Sequence, residues 1–126
     1  MPNIDYARVL TTQDKAAQAL AAHTAKAKAA CKCRILARFP LEAQQNLAHA
    51  ITVYTAGIVR GDSVDDIRAG SGLSDDDFEV ARTARHWVAA MQAACRAASA
   101  DLAADLEAES LWPALPEGVA ALVSRF

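Results

Sequence analysis

The sequence predicts an all-α fold, on three observations. About a quarter of the 126 residues are alanine, the residue with the best intrinsic helix propensity. The five glycines and four prolines are few, and they fall in clusters instead of being spread along the chain. Apolar residues recur at spacings of three and four over long stretches, the period of one helix face. The expected architecture is three main helices in a bundle, two of them long and alanine-rich, with an extended N-terminal arm and a short C-terminal helix. In domain terms this is an arm at 1–10, a helical bundle at 11–110 and a C-terminal docking segment at 111–126. A chain of this length buries roughly 65–70% of its unfolded surface in one core. Because alanine supplies so much of the 53% hydrophobic content, large core side chains are scarce and the helices must approach closely.

Residues 1–10 read as an extended arm, with Pro2, Ile4, Tyr6, Val9 and Leu10 as apolar handles. A helix start follows: Thr11 caps, and Asp14 three residues on completes a capping-box spacing. From Thr12 to about Arg38 nothing interrupts the helix, and Pro40 stops it. Its apolar seam is narrow: Ala17, Leu20, Thr24, Ala27, Cys31 and Ile35. A second helix is expected from Leu41 to Arg60, with Leu47, Ile51, Tyr54 and Ile58 on one face and Gly61 placed to end it. The stretch from Gly61 to Gly72 is rich in Gly, Asp and Ser, which favour turns, and is expected to be a loop with a short turn around Val64 to Ala69.

The third helix carries the clearest start. Ser74 is its N-cap, and Asp75, Asp76 and Asp77 sit at the positive end of the helix dipole. Its stripe runs Val80, Ala84, Trp87, Met91, Cys95 and Ala98, continues to Leu102 and Leu106, and predicts a helix reaching Glu109. Trp112-Pro113 then breaks the chain, and a short amphipathic helix begins near Pro116 with Val119, Leu122 and Phe126 on one side.

The net charge of −2 hides an asymmetry. Residues 1–60 hold eight Lys/Arg against three Asp/Glu, and residues 61–126 hold five against twelve. Opposed halves of this kind pack on one another, within a chain or between chains. The basic half is not expected to bind nucleic acid, because no aromatic side chains interleave with its lysines to stack on bases. No signal peptide is expected from the opening residues, and no apolar run approaches the roughly 20 residues of a membrane span. Three cysteines, an odd number, fit a reducing compartment better than a disulfide framework.

Candidate chemistry is weighed residue by residue. Cys31 and Cys33 are two apart, so on a helix they point about 200° away from each other and cannot clamp one ion. No second pair exists to complete a four-ligand zinc site. Cys31 and Cys95 are expected to be small core residues on facing seams, with Cys33 exposed between Lys32 and Arg34. His23, His49 and His86 stand one per predicted helix, with no carboxylate paired at i+3 or i+4 of His86, and surface or boundary positions are the ordinary expectation. The Asp62–Asp66 run lacks the order of a calcium loop. Asp101, Asp105, Glu107 and Glu109 would put negative charge at a helix C-terminus, and Lys26, Lys28 and Lys32 are the expected compensation. Arg60-Gly61-Asp62 spells an adhesion tripeptide, which chance alone supplies. No nucleophile–base pair, phosphate loop or paired catalytic carboxylate emerges, so neither an enzyme nor a cofactor or metal is expected.

Three stretches carry a resemblance. The opening "MPNIDYARVLTTQDKAAQALAA", the middle "CRILARFPLEAQQNLAHA" and "ARHWVAAMQAACRA" at residues 84–97 resemble small proteins encoded beside tail-fibre genes in bacteriophages and prophages of alphaproteobacteria. Taken loosely, the likeness covers residues 1–97. It implies an accessory of a phage or of a phage-like particle such as a gene transfer agent: a fibre or spike component, or an assembly factor for one. It implies as partners other particle proteins (fibre, spike or capsid) and further copies of the chain, with neither nucleic acid nor membrane, in a particle assembled in the host cytoplasm. A cytoplasmic assembly chaperone or helical interaction module is the alternative, and a thiol-dependent enzyme the second alternative. The expected contact residues are Ile4, Tyr6 and Val9 at one end and Trp112, Leu115, Leu122 and Phe126 at the other. Equally open is a fold in which both ends turn back to cap the chain's own core.

Overall fold

A computed structural model describes residues 11–126, and among them the chain is all-helical with no strand. Helix α1 spans Thr12–Arg38, α2 Leu41–Arg60, α3 Val64–Ser71, α4 Asp75–Ser99 and α5 Val119–Val123. The start of α1 is the expected capping box: the Asp14 amide donates to Thr11 Oγ1 at 3.1 Å, and the Thr11 amide to Asp14 Oδ2 at 3.3 Å. Pro40 ends α1 and serves as the N-cap of α2. Gly61 ends α2 in the left-handed region at φ 75°, where a side chain would be strained. The Asp62 amide then reaches back to the Gly57 carbonyl at 3.0 Å.

The expected loop after Gly61 is a helix. In α3 the Ser63 side chain accepts from the Asp66 amide, Ile67 is buried, and Gly72 closes the helix at φ 73°. Its site of attachment explains its stability. A Cβ on Gly57 would lie 2.8 Å from Ile67 Cγ1, so α3 packs tightly on α2 because that position is bare. Ser71, buried at 7% exposure, donates to the Ile67 carbonyl at 2.6 Å and accepts from the Leu73 amide at 3.1 Å, which turns the chain into α4.

The helix expected to reach Glu109 stops ten residues earlier, at Ser99. Two local effects end it. His23 Nε2 donates to the Ala98 carbonyl at 2.7 Å and Thr24 Oγ1 to the Ser99 carbonyl at 3.5 Å, so α1 side chains satisfy carbonyls that a further turn would have used. Beyond them Asp101 Oδ1 accepts from the Ala103 amide at 3.0 Å and Asp105 Oδ1 from the Glu107 amide at 3.1 Å, so each aspartate folds its own backbone into a turn. The acidic run therefore avoids the negative end of a helix. Its partner is Arg34, which pairs with Glu109 at 3.1 Å and donates to the Glu107 carbonyl at 3.4 Å, in place of the expected lysines.

The described residues hold five α-helices, of which α1, α2 and α4 have 20 residues or more, and their packing is not that of an even three-helix bundle. Antiparallel α1 and α4 are the principal pair, with His23 against Ala98 and Cys31 against Met91. Ala27, Ala84 and Ala98 are buried to 2% exposure or less, which lets their backbones come close. The main helical neighbour of α2 is α3, with a smaller contact to α5. The larger fully buried side chains, Leu47, Leu73, Met91 and Val119, come from α2, the α3–α4 turn, α4 and α5, so one core joins all of them.

Candidate functional site

The thiols are placed by the α1–α4 contact. Cys31 and Cys95 are buried and Cys33 is exposed. The Cys31 thiol donates to the Met91 carbonyl at 3.5 Å. Burial pushes its pKa up, and the neighbouring Cys95 adds to the rise. A nucleophilic thiol is tuned the other way. His23 is half-buried and held by a backbone carbonyl, which fixes Nε2 as the protonated nitrogen, whereas His49 and His86 are exposed on other helices. Among the described residues no three His, Cys, Asp or Glu side chains are grouped to hold a metal.

At the start of α4 the three aspartates divide their work. Asp77 completes the capping box with Ser74 and takes an ion pair from Arg125 at 3.1 Å. Burial alone would raise its pKa, but the Ser74 hydrogen bonds and the Arg125 guanidinium outweigh that and hold it below the ordinary value. Asp75 accepts from the Tyr54 hydroxyl at 2.5 Å. That bond, then burial, pushes the Tyr54 pKa up. Tyr54 also stacks on Phe78 with ring centroids 4.5 Å apart. These groups, with Ile58, Asp76 and Glu79, line an open concavity of about 520 Å³.

Of the expected contact residues, Ile4, Tyr6 and Val9 lie outside the described residues. The other four pack on the chain's own body. Trp112 and Leu122 are buried, and Leu115 and Phe126 are half-buried against the core. The Trp112 indole donates to the Leu106 carbonyl at 3.0 Å, and the Trp87 indole of α4 donates to the Pro113 carbonyl at 3.1 Å. Arg125 donates to the Gly72 carbonyl at 2.7 Å, and Asn46 holds the Phe126 carbonyl at 3.1 Å. Arg34 lies over the Trp112 ring, 5.5 Å from its centroid. Residues 106–126 are thus a latch across α1, α2 and α4.

Exposed apolar surface lies elsewhere. Residues 11–22 are all exposed, so the first turns of α1 are not covered by the body. Leu20, 42% exposed, lies on the same seam as buried Ala27 and Cys31. At the α2–α3 corner Ile58, Val59 and Val64 are 53%, 81% and 65% exposed. Val59 and Val64 flank the glycine-aspartate break, a signal visible in the sequence once α3 is known to be a helix. A further groove between α1, α4 and the start of α2, about 480 Å³, has basic walls. No helix among the described residues is long and apolar enough to cross a membrane. Comparison with models of known families, with curated proteins and with solved structures finds no match.

Proposed function

We propose that the chain is a structural or accessory component of a phage-like particle, a tail-fibre or spike associated protein that acts through protein–protein contacts. The observation that carries this reading is the overhang of α1. One seam runs the length of the helix, but only its second half, from Ala27 through Cys31 to Ile35, is buried. Among the described residues nothing covers the start of that seam, and this bare face, begun by a full capping box, is the surface the reading offers to another chain. The resemblance of residues 1–97 to small proteins encoded beside tail-fibre genes is what suggests the setting. The three long helices serve as the bundle that carries this surface, and the partners are fibre, spike or capsid proteins and further copies of the chain. The latch packs the C-terminal side chains inward and leaves α1 and the α2–α3 corner as the contact regions.

The test is mass spectrometry of purified particles from the producing strain. The expected result is this polypeptide in a fixed ratio to the fibre or spike proteins. Its absence from particles, with abundant protein in the lysate, would reject a structural role in favour of an assembly chaperone, and pull-down with fibre proteins would then identify its client.

A further inference from the structure

We propose that copies of the chain associate head to tail, the acidic segment around Leu102 of one copy entering the basic groove between α1 and α4 of the next. This assignment rests on the reading of the chain as one that associates with copies of itself, and it names the two surfaces. The groove has an apolar floor of Cys31, Ile35 and Cys95, with Leu41 at its edge still 59% exposed. Its rim carries Lys28, Lys32 and Arg96, and no carboxylate lines it. Among the described residues none of these three cations has an ion-pair partner.

The complementary feature is Asp101–Glu107, non-helical and on the surface. Asp101, Asp105 and Glu107 are exposed, pair with no cation among the described residues, and flank Leu102 along the chain, itself 55% exposed. Three carboxylates about one leucine match three cations about an apolar floor. Within one copy the segment does not line the groove. Arg34 holds the acidic segment on its own side of α1 through Glu109 and the Glu107 carbonyl. At 100° per residue, Lys28 and Lys32 lie roughly 120–160° around the helix from Arg34. Each copy therefore presents one groove and one segment on different faces, the condition for heterologous association into a ring or a fibre. Burial of the leucine provides affinity, and the paired charges provide register and salt dependence.

The experiment is light scattering or sedimentation of the full-length chain at low and high salt, with two charge-reversed variants. One carries Lys28→Glu and Lys32→Glu, the other Glu107→Lys, which leaves the turns held by Asp101 and Asp105 in place. All three positions are exposed, so helicity by circular dichroism is expected to be unchanged. The wild type is expected to associate at low salt and weaken at high salt. Each variant alone should lose at least about tenfold in association constant, because the first gives groove and segment the same sign and the second removes most of the segment's net charge. An equimolar mixture of the two should associate again, since the second variant keeps the groove and the first keeps the segment. Association untouched by both reversals, or a mixture that stays monomeric, overturns the assignment of these surfaces while self-association itself stands. A wild type that is monomeric at every concentration and salt overturns the assignment and self-association together. The presence of the chain in particles is read separately by mass spectrometry.

Discussion

Tyr54 and Asp75 are 21 residues apart, and their hydrogen bond ties the end of α2 to the start of α4. Asp75 is exposed and can be rehydrated, so Tyr54→Phe is expected to cost about 1 kcal/mol in urea unfolding. The raised Tyr54 pKa means that its neutral form is the one stabilised. Its contribution is therefore complete below the unfolded value near 10 and is lost as pH rises through the higher folded value. The alkaline decline in stability should flatten in Tyr54→Phe. Asp77 has the opposite sign. Its folded pKa lies below the ordinary 3.8, so its contribution is complete above the unfolded value and disappears as pH falls through the folded one. Urea midpoints measured between about pH 5 and pH 2 should fall, and Asp77→Asn should remove part of that slope while lowering stability at neutral pH by about 1 kcal/mol. The local half of this chemistry was legible in the sequence, since Ser74 and Asp77 stand at capping-box spacing. The Tyr54–Asp75 and Arg125–Asp77 pairs were not, because nothing local links residues that only tertiary packing brings together.

At the scale of elements, α1 and α2 could be bounded from sequence because their ends are stereochemical: Thr11 with Asp14, Pro40, and Gly61. The two misread stretches were decided by competition. In α3, turn-forming residues turned out to be caps, Ser63 at one end and Gly72 at the other, around a helix too short for periodicity to reveal. After Ser99, an apolar stripe suggested helix while two aspartates and two side chains of α1 claimed the backbone groups. Gly57 tests how closely α3 is held. On an isolated helix Gly→Ala stabilises by about 1 kcal/mol. Here the new methyl meets Ile67 at 2.8 Å, so Gly57→Ala is expected to destabilise. In an Ile67→Ala background the same substitution should become neutral or stabilising, a coupling that a double-mutant cycle in urea measures directly.

For the whole molecule, the sequence showed opposed charge halves without saying where they meet. In the described residues they meet as helices, α1 of the basic half against α4 of the acidic half, while few of their charges pair. Among those residues Arg34–Glu109 joins α1 to the acidic half, Arg60–Asp62 merely spans the boundary, and the other two ion pairs lie within the acidic half. The candidate contact surfaces were correspondingly hard to read. Sequence marked Trp112 and Leu122 as apolar ends, but burial is a property of the assembled core, and the same pattern serves a docking face or a latch. The latch makes a further prediction. Trp112→Ala is expected to cost about 3–5 kcal/mol, since it empties a buried site and frees the Leu106 carbonyl. Against a total stability of about 5–15 kcal/mol, thermal unfolding should show a large loss.

The protein has only two tryptophans, and both indoles are spent on one junction. Trp87 holds the latch from below and Trp112 belongs to it, so neither reports on the free end of α1 or on the α2–α3 corner. Intrinsic fluorescence is therefore an optical gauge with a single meaning. A red shift that precedes the loss of helical circular dichroism on heating would mark the tail lifting from an otherwise intact body, and coincident curves would mark tail and body melting as one unit.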